Sequence, residues 1–489
     1  MSTKIQDQLV QVQSADAASP DSGARHDRHP DETLAAVEKF GGEVLLDLDE
    51  TLYLRNSTED FINCAAPGLP VLIGLRILDL LKPWLLTGGI DSRDWWRVRL
   101  SLLLCPWIGL LWRRRVKTLG AQHRNQTLID AVHRSRAQPL VLTNGFEPIV
   151  RPLIAAMGLG ELPLIACSLS SPDERIRGKL ALALKALGEA RVSRAMVITD
   201  SLTDLPLLHR CALPCRTLWP GARYEHALHH IYLPGMYLSE IKRPGQRYVL
   251  NGILLEDFAL WVCASVFVAT LPAVHVLGLG LMLLSFWTVY ERGYVDNDEM
   301  GARYEENPYF SPRYGHVTVA TPRLAPWLWA LTAGGAGVAL VRYPGAPNLV
   351  DLGLWFGVLA ATHATFLLYN RVDNSSRVLM FPWLQLARSA AFVAVLPITL
   401  PAALAIGAHV LARWLPYHSY RMAEKRWPQG TIFLSRLAFF TILMVCVALV
   451  TPIEHLLTPT ALALMLWNLF QARGELRAML RNAHRIDRS

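Results

Sequence analysis

At 489 residues the chain is too long for one ordinary domain, and two or three are expected. It is 52% hydrophobic and only 18% charged, and its apolar residues crowd into runs after position 257, several near the roughly 20 residues that cross a bilayer. The net charge of +8 comes with no basic stripe interleaved with aromatics, which argues against nucleic acid as a partner.

The excess Arg lies beside apolar runs instead, in "WRRRVK" (112–117), in "RMAEKR" (421–426) and from Arg473 to Arg488. That placement suits an anionic membrane surface. The seven cysteines show no CxxC and no metal-ligand spacing, so nothing points to an oxidising compartment.

In chain order, residues 1–40 are polar, low in large apolars and without the apolar centre of a signal peptide, and are expected to be a disordered cytoplasmic tail. "EVLLDLDETLY" (43–53) then reads as a buried strand ending in crowded acids. Like charges that close cost free energy unless a cation or a reaction needs them. "QPLVLTNG" (138–145) and "RAMVITDS" (194–201) are two further strands, and the three apolar runs break off at Asp47, Thr143 and Asp200. Helical stretches such as "EPIVRPLIAAMGL" and "LPLLHRCAL" follow. Strands alternating with helices predict a doubly wound parallel sheet whose ligand lies beyond the strands' carboxyl ends, where all three tips would meet.

This pattern resembles the haloacid dehalogenase superfamily of phosphatases over residues 41–215. The family's DxDxT motif stands as Asp47-Leu48-Asp49-Glu50-Thr51, with Glu50 in place of the commoner Gly. A strand-ending Thr143 with Asn144 beside it, Lys179 at a helix start, and the acidic pair Asp200 and Asp204 in "DSLTD" supply the other motifs. The resemblance implies a Rossmann-like α/β domain with Asp47 as nucleophile and Asp49 as general acid and base. Thr143, Asn144 and Lys179 would hold the phosphoryl group, and Mg2+ would sit among Asp47, Asp49, Asp200 and Asp204. The crowded acids would then surround a cation.

The insert between the first two motifs (53–137) is long enough for a helical cap. It contains "VLIGLRILDLLKPWLL" and "RVRLSLLLCPWIGLLWRRRVK". The second is either a helix lying in a membrane interface or a cap helix packing on its own domain. Either would favour a substrate carried on lipid.

A linker is expected over 216–250, an all-α polytopic membrane domain of about eight spans over 251–472, and a basic cytoplasmic tail over 473–489. With eight spans the basic loops fall on one side, which puts the soluble domain and the C-terminus in the cytoplasm at an inner membrane. Two segments on that face, "YERGYVDNDEMGARYEENP" (290–308) and "YNRVDNSSR" (369–377), concentrate ionisable residues where a loop leaves the membrane.

This half is similar to UbiA-type intramembrane prenyltransferases. Asn297 and Asp298 match the start of the family's NDxxDxxxD signature, while Gly301 and Glu305 depart from it. Tyr369, Asn370 and Asp373 echo the second signature, two spans early. The resemblance implies Asn297, Asp298 and Asp373 as metal ligands, with Arg303, Glu305, Tyr369, Asn370 and Arg377 toward a diphosphate. Two readings follow. The favoured one is a two-step enzyme on a polyprenyl-phosphate type of substrate, joining UbiA-like prenyl or phosphoribosyl transfer to phosphate removal. The other is a phosphatase whose helical half is only an anchor or a lipid-binding module. The oligomeric state is not legible.

Overall fold

The computed structural model describes residues 26–305, 308, 310–373, 375–423 and 431–482. The chain divides into two compact units, the first ending at Ile231 and the second starting at Tyr232. The stretch expected as a linker is therefore shared out. Thr217 and Leu228 are buried in unit 1, and Leu238 and Ile241 in unit 2.

Unit 1 is built on five parallel strands: β1 (Glu43–Leu46), β2 (Gln138–Phe146), β3 (Leu164–Cys167), β4 (Met196–Thr199) and β5 (Leu213–Arg216). Their order is β3-β2-β1-β4-β5. β1, β2 and β4 are near-continuous apolar runs because helices cover both faces of the sheet, so there is no polar face to alternate with. Val44, Leu45, Leu46 and Met196 to Ile198 are all buried. Leu45 pairs with Leu140 on one side and Val197 on the other. The chain runs outward from β1 in both directions, so the crevice of this switch point opens at the carboxyl ends of β1, β2 and β4.

The amino-terminal expectation needs correction. Residues 1–25 lie outside the described residues, but Pro30–Lys39 is a helix, α1, with a His29–Glu32 capping box. It is fastened by fully buried Val37 and by a 2.7 Å hydroxyl contact between Thr33 and Thr217. One apolar anchor was too little to read from composition.

The insert is a helical cap: α2 (Ser57–Ile62), α3 (Gly68–Leu81), α4 (Arg93–Leu104), α5 (Ile108–His123) and α6 (Gln126–Arg134). Leu72, Leu75, Val98, Ile108 and Trp112 form its buried side. Glu59 ties it together, taking Arg97 Nη1 and Nη2 at 2.5 and 2.8 Å, Tyr224 Oη at 2.8 Å and the Ala227 amide at 2.7 Å. Helices α7 (Glu147–Ala156) and α8 (Asp173–Leu187) complete the wrapping.

Unit 2 is helical: α9 (Val249–Val268), α10 (Pro272–Tyr304), α11 (Ala325–Arg342), α12 (Leu349–Tyr369), α13 (Arg377–Ala390), α14 (Leu400–Ala423), α15 (Ile432–Ala448) and α16 (Pro459–Asn482). The expected all-α character of this region is thus present. Among the described residues, however, only α9, α10 and α12 are long and apolar enough to cross a membrane, and α15 is apolar but shorter. α14 carries His409 and Arg413, and α16 carries Arg473, Glu475 and Arg477, which lowers their hydropathy. The expected tail from 473 continues α16 as far as Asn482, and residues 483–489 lie outside the described set. The segment 290–304 is likewise the end of a 33-residue helix, not a loop.

Candidate active site

β1 delivers Asp47 to the crevice with its amide bonded to the Ile198 carbonyl at 2.9 Å, an extension of the β1–β4 ladder. One carboxylate oxygen accepts from the Leu48 amide at 2.7 Å. The other lies 2.6 Å from Lys179 Nζ and 2.8 Å from Thr199 Oγ1. Lys179 reaches this point because α8 breaks at Gly178, whose φ of 76° suits glycine and starts a fresh helical run at the lysine.

The turn after β1 places Glu50 at φ 57°, a left-handed conformation that costs a side-chain-bearing residue about 1–2 kcal/mol. That strain accounts for the usual glycine at this place in the motif. Asp49 sits opposite the start of α2 and accepts the Ser57 amide at 2.7 Å. The Thr51 hydroxyl donates to Asp200 at 3.2 Å and ties the β1 turn to the end of β4.

β2 loses register with β3 between Leu142 and Phe146, and this irregularity frees its tip. Thr143 is buried and accepts the Gly145 amide at 2.9 Å. A Cβ on Gly145 would come 2.6 Å from Val150 and 3.2 Å from the Thr143 oxygen, so the turn must be glycine. Asn144 accepts from Arg175 through its backbone carbonyl at 2.7 Å, while its Oδ1 is buried without a hydrogen-bond partner. Such an orphaned atom at the tip of β2 fits a site that receives a polar ligand.

The electrostatics agree. Burial pushes Asp47 well above the ordinary carboxylate range; Lys179 opposes the rise, and Asp204 and Asp200 add to it. Burial also raises Asp49, to about 6, against the pull of the Ser57 bonds. Asp200 is raised by burial and then by Glu50. Burial disfavours the Lys179 charge, but Asp204 and Asp47 outweigh it and hold its pKa above the usual value. One ammonium among this many carboxylates leaves negative charge unmatched.

A magnesium ion fits that donor set. The carboxylates of Asp47 and Asp200 and the Asp49 carbonyl are hard oxygens, and magnesium completes its shell with water. Among the described residues no group of three or more His, Cys, Asp or Glu is arranged to hold a metal ion. Asp204, expected beside Asp200 as a ligand, has its Oδ2 2.6 Å from both Lys179 Nζ and Thr199 Oγ1, so it also holds the lysine.

In unit 2 the structure brings the two expected segments together but not as a metal site. Asn297 donates to Asn370 at 2.8 Å, and Glu305 pairs with Arg377 at 2.7 Å. Arg377 also donates to the Tyr369 carbonyl and stacks over its ring. Asp298 faces elsewhere. It is buried, with Lys242 Nζ at 2.6 Å and Tyr237 Oη at 2.8 Å. Asp373 is exposed, and the hydroxyls of Ser375 and Ser376, with their amides, hold its carboxyl low. Sequence reasoning missed Glu291, which accepts the amides of Gly235 and Leu238 at 2.9 Å. A pocket of about 400 Å³ lies on another face of α10, lined by Arg292, Asp296, Arg303, Arg323, Trp327 and Arg371 among others. Of the expected residues only Arg303 and Asn370 line it.

No curated protein and no solved structure matches the chain significantly. The haloacid dehalogenase-like hydrolase family matches residues 44–209, which run from β1 through the carboxylates at the end of β4. Unit 1 thus carries a haloacid dehalogenase-like hydrolase domain, with Asp47 at its central strand tip.

Proposed function

We propose that the chain is a magnesium-dependent phosphatase acting on a lipid-linked phosphate monoester, with unit 2 as its membrane anchor and lipid-binding module. The observation that carries the reading is Asp47 at the tip of the central strand, between Lys179 and Thr199, with Asp49 protonatable near neutrality. An Asp47 oxygen attacks phosphorus and the ester bond breaks. Asp49 gives its proton to the departing oxygen, which leaves an aspartyl-phosphate. Asp49 then takes a proton from water, whose oxygen attacks the same phosphorus and releases inorganic phosphate with Asp47 restored. Lys179 has three N–H donors; two serve Asp47 and Asp204, and the third is available to a phosphoryl oxygen. Thr143 and Asn144 border the same space. Bound magnesium supplies charge neutralisation for the phosphoryl oxygens.

The lipid-linked substrate is supported by the three helices able to cross a membrane, and the placement of unit 1 on the cytoplasmic side of an inner membrane rests on the eight-span count of the basic loops. The two-step reading lacks comparable support. Asp298, its central acid, is already neutralised by Lys242.

The test is phosphate release by the purified full chain from a polyprenyl phosphate and from a soluble monoester, with magnesium or with EDTA. Magnesium-dependent release that favours the lipid is expected. No release from either substrate would end the phosphatase reading, and equal rates would end the lipid preference.

A further inference from the structure

The cap of unit 1 turns a second side outward, and that side is apolar. Leu80 is 80% exposed, Leu86 90%, Leu103 74%, Leu110 61% and Trp107 47%. Single exposed leucines are ordinary, but a concentration of this kind between positions 80 and 110 is not. The pieces form one surface. A Cβ on Gly74 would lie 2.5 Å from Leu104, so α3 and α4 pack closely there. Trp107 Nε1 donates to the Ala66 carbonyl at 2.8 Å and holds the start of α5 to the lead of α3. Trp96 Nε1 donates to Thr87 at 2.9 Å and fixes the 83–92 turn against α4.

The charge of this stretch is predominantly positive. Lys82, Arg99, Arg113, Arg114, Arg115 and Lys117 are exposed. Of the three acids in 68–117, Asp79 is paired with Arg93 and Asp94 with Arg97 and Arg175, which leaves Asp91. Leucine and tryptophan accompanied by exposed arginine match the boundary between acyl chains and anionic headgroups. Three helices of the same chain are long and apolar enough to cross a membrane.

We propose that this side of the cap docks on a bilayer containing anionic lipid. The leucines enter the acyl edge, and Arg113 to Arg115 meet the phosphates. Docking is independent of what unit 1 hydrolyses and stands even if the phosphatase reading falls.

The experiment uses the full chain in nanodiscs of phosphatidylcholine with phosphatidylglycerol. Cys446, the exposed native cysteine, is replaced by Ala, and an environment-sensitive fluorophore is placed at Leu86→Cys, Leu103→Cys or Glu161→Cys. Glu161 is exposed just before β3, at the amino end of the sheet. Both cap positions are solvent-facing, so the substitutions leave the core intact, and unchanged melting temperatures confirm it. The expected result is blue-shifted emission at Leu86 and Leu103, lost on adding lipids with a shallow nitroxide, and neither effect at Glu161. Arg113→Gln/Arg114→Gln/Arg115→Gln should restore most of the emission. Water-like emission at Leu86 and Leu103 overturns the proposal. So does a blue shift without quenching, which would mean that protein covers the face.

Discussion

Two acidic segments of this chain look alike in sequence and differ in what surrounds them. At the tip of β1, Asp47, Asp49 and Glu50 crowd together with Asp200 and Asp204 nearby, and Lys179 is the ammonium among them. In α10, each buried acid has its own donors: Asp298 has Lys242 and Tyr237, and Glu291 has two amides and Tyr232. The lesson is that crowding of acids says little until their partners are known. A matched carboxylate holds structure together, whereas an unmatched one is held by the fold at a cost in stability, and such cost is usually tied to chemistry.

The sharpest way to break this contrast is Asp47→Asn. Turnover should fall by at least about four powers of ten, because a nucleophile is lost. The melting temperature should hold or rise, because a destabilised buried charge is removed. Residual activity near that of the parent would show that the crowded acids are not catalytic.

Glu59→Gln tests the matched case within unit 1. Breaking the buried pair with Arg97 should cost about 3–5 kcal/mol, read by denaturant unfolding. Arg97 and its neighbours hold Glu59 below its ordinary pKa. Its contribution is therefore full above the unfolded value of about 4.3 and is lost as pH falls through the lower folded value. The parent should weaken on acidification through that window while the Gln variant responds less.

Asp298→Asn should cost about 2–3 kcal/mol, since Lys242 loses its counter-charge while Tyr237 keeps an acceptor. Phosphate release per folded molecule should not change. A folded, fully stable variant would show that the pairing contributes nothing. The smallest effect is expected from Glu50→Gly, which relieves a left-handed backbone and one repulsive carboxylate. It should stabilise unit 1 by about 1 kcal/mol, and an unchanged or lowered melting temperature would contradict the strain argument.

How much of this was legible follows the range of the interactions. Strands β1, β2 and β4 and the residues at their tips were readable, because burial on both faces leaves a continuous apolar run and the run ends where the site begins. The kink at Gly178 was foreshadowed by a glycine directly before Lys179. The role of Asp204 was not readable, since its engagement by Lys179 depends on a loop-to-helix contact across 25 residues. Glu59 looked like an ordinary cap acid, and its partners Arg97 and Tyr224 lie 38 and 165 residues away. In unit 2 the helix positions were legible from hydropathy, but where each ends was not. The run of charges after Tyr290 looked like a loop, yet its acids are paired and so helix α10 continues through it.

That continuity has a mechanical consequence. At 1.5 Å per residue, the 33 residues of α10 make a rod of about 50 Å, whereas the hydrocarbon core of a bilayer is about 30 Å thick. A helix of that length either leans strongly or stands clear of the core by several turns, and in both cases it remains one stiff piece. Displacing Arg292, Asp296 or Arg303 at its charged end would therefore move the apolar end with it, as pushing one end of a lever moves the other.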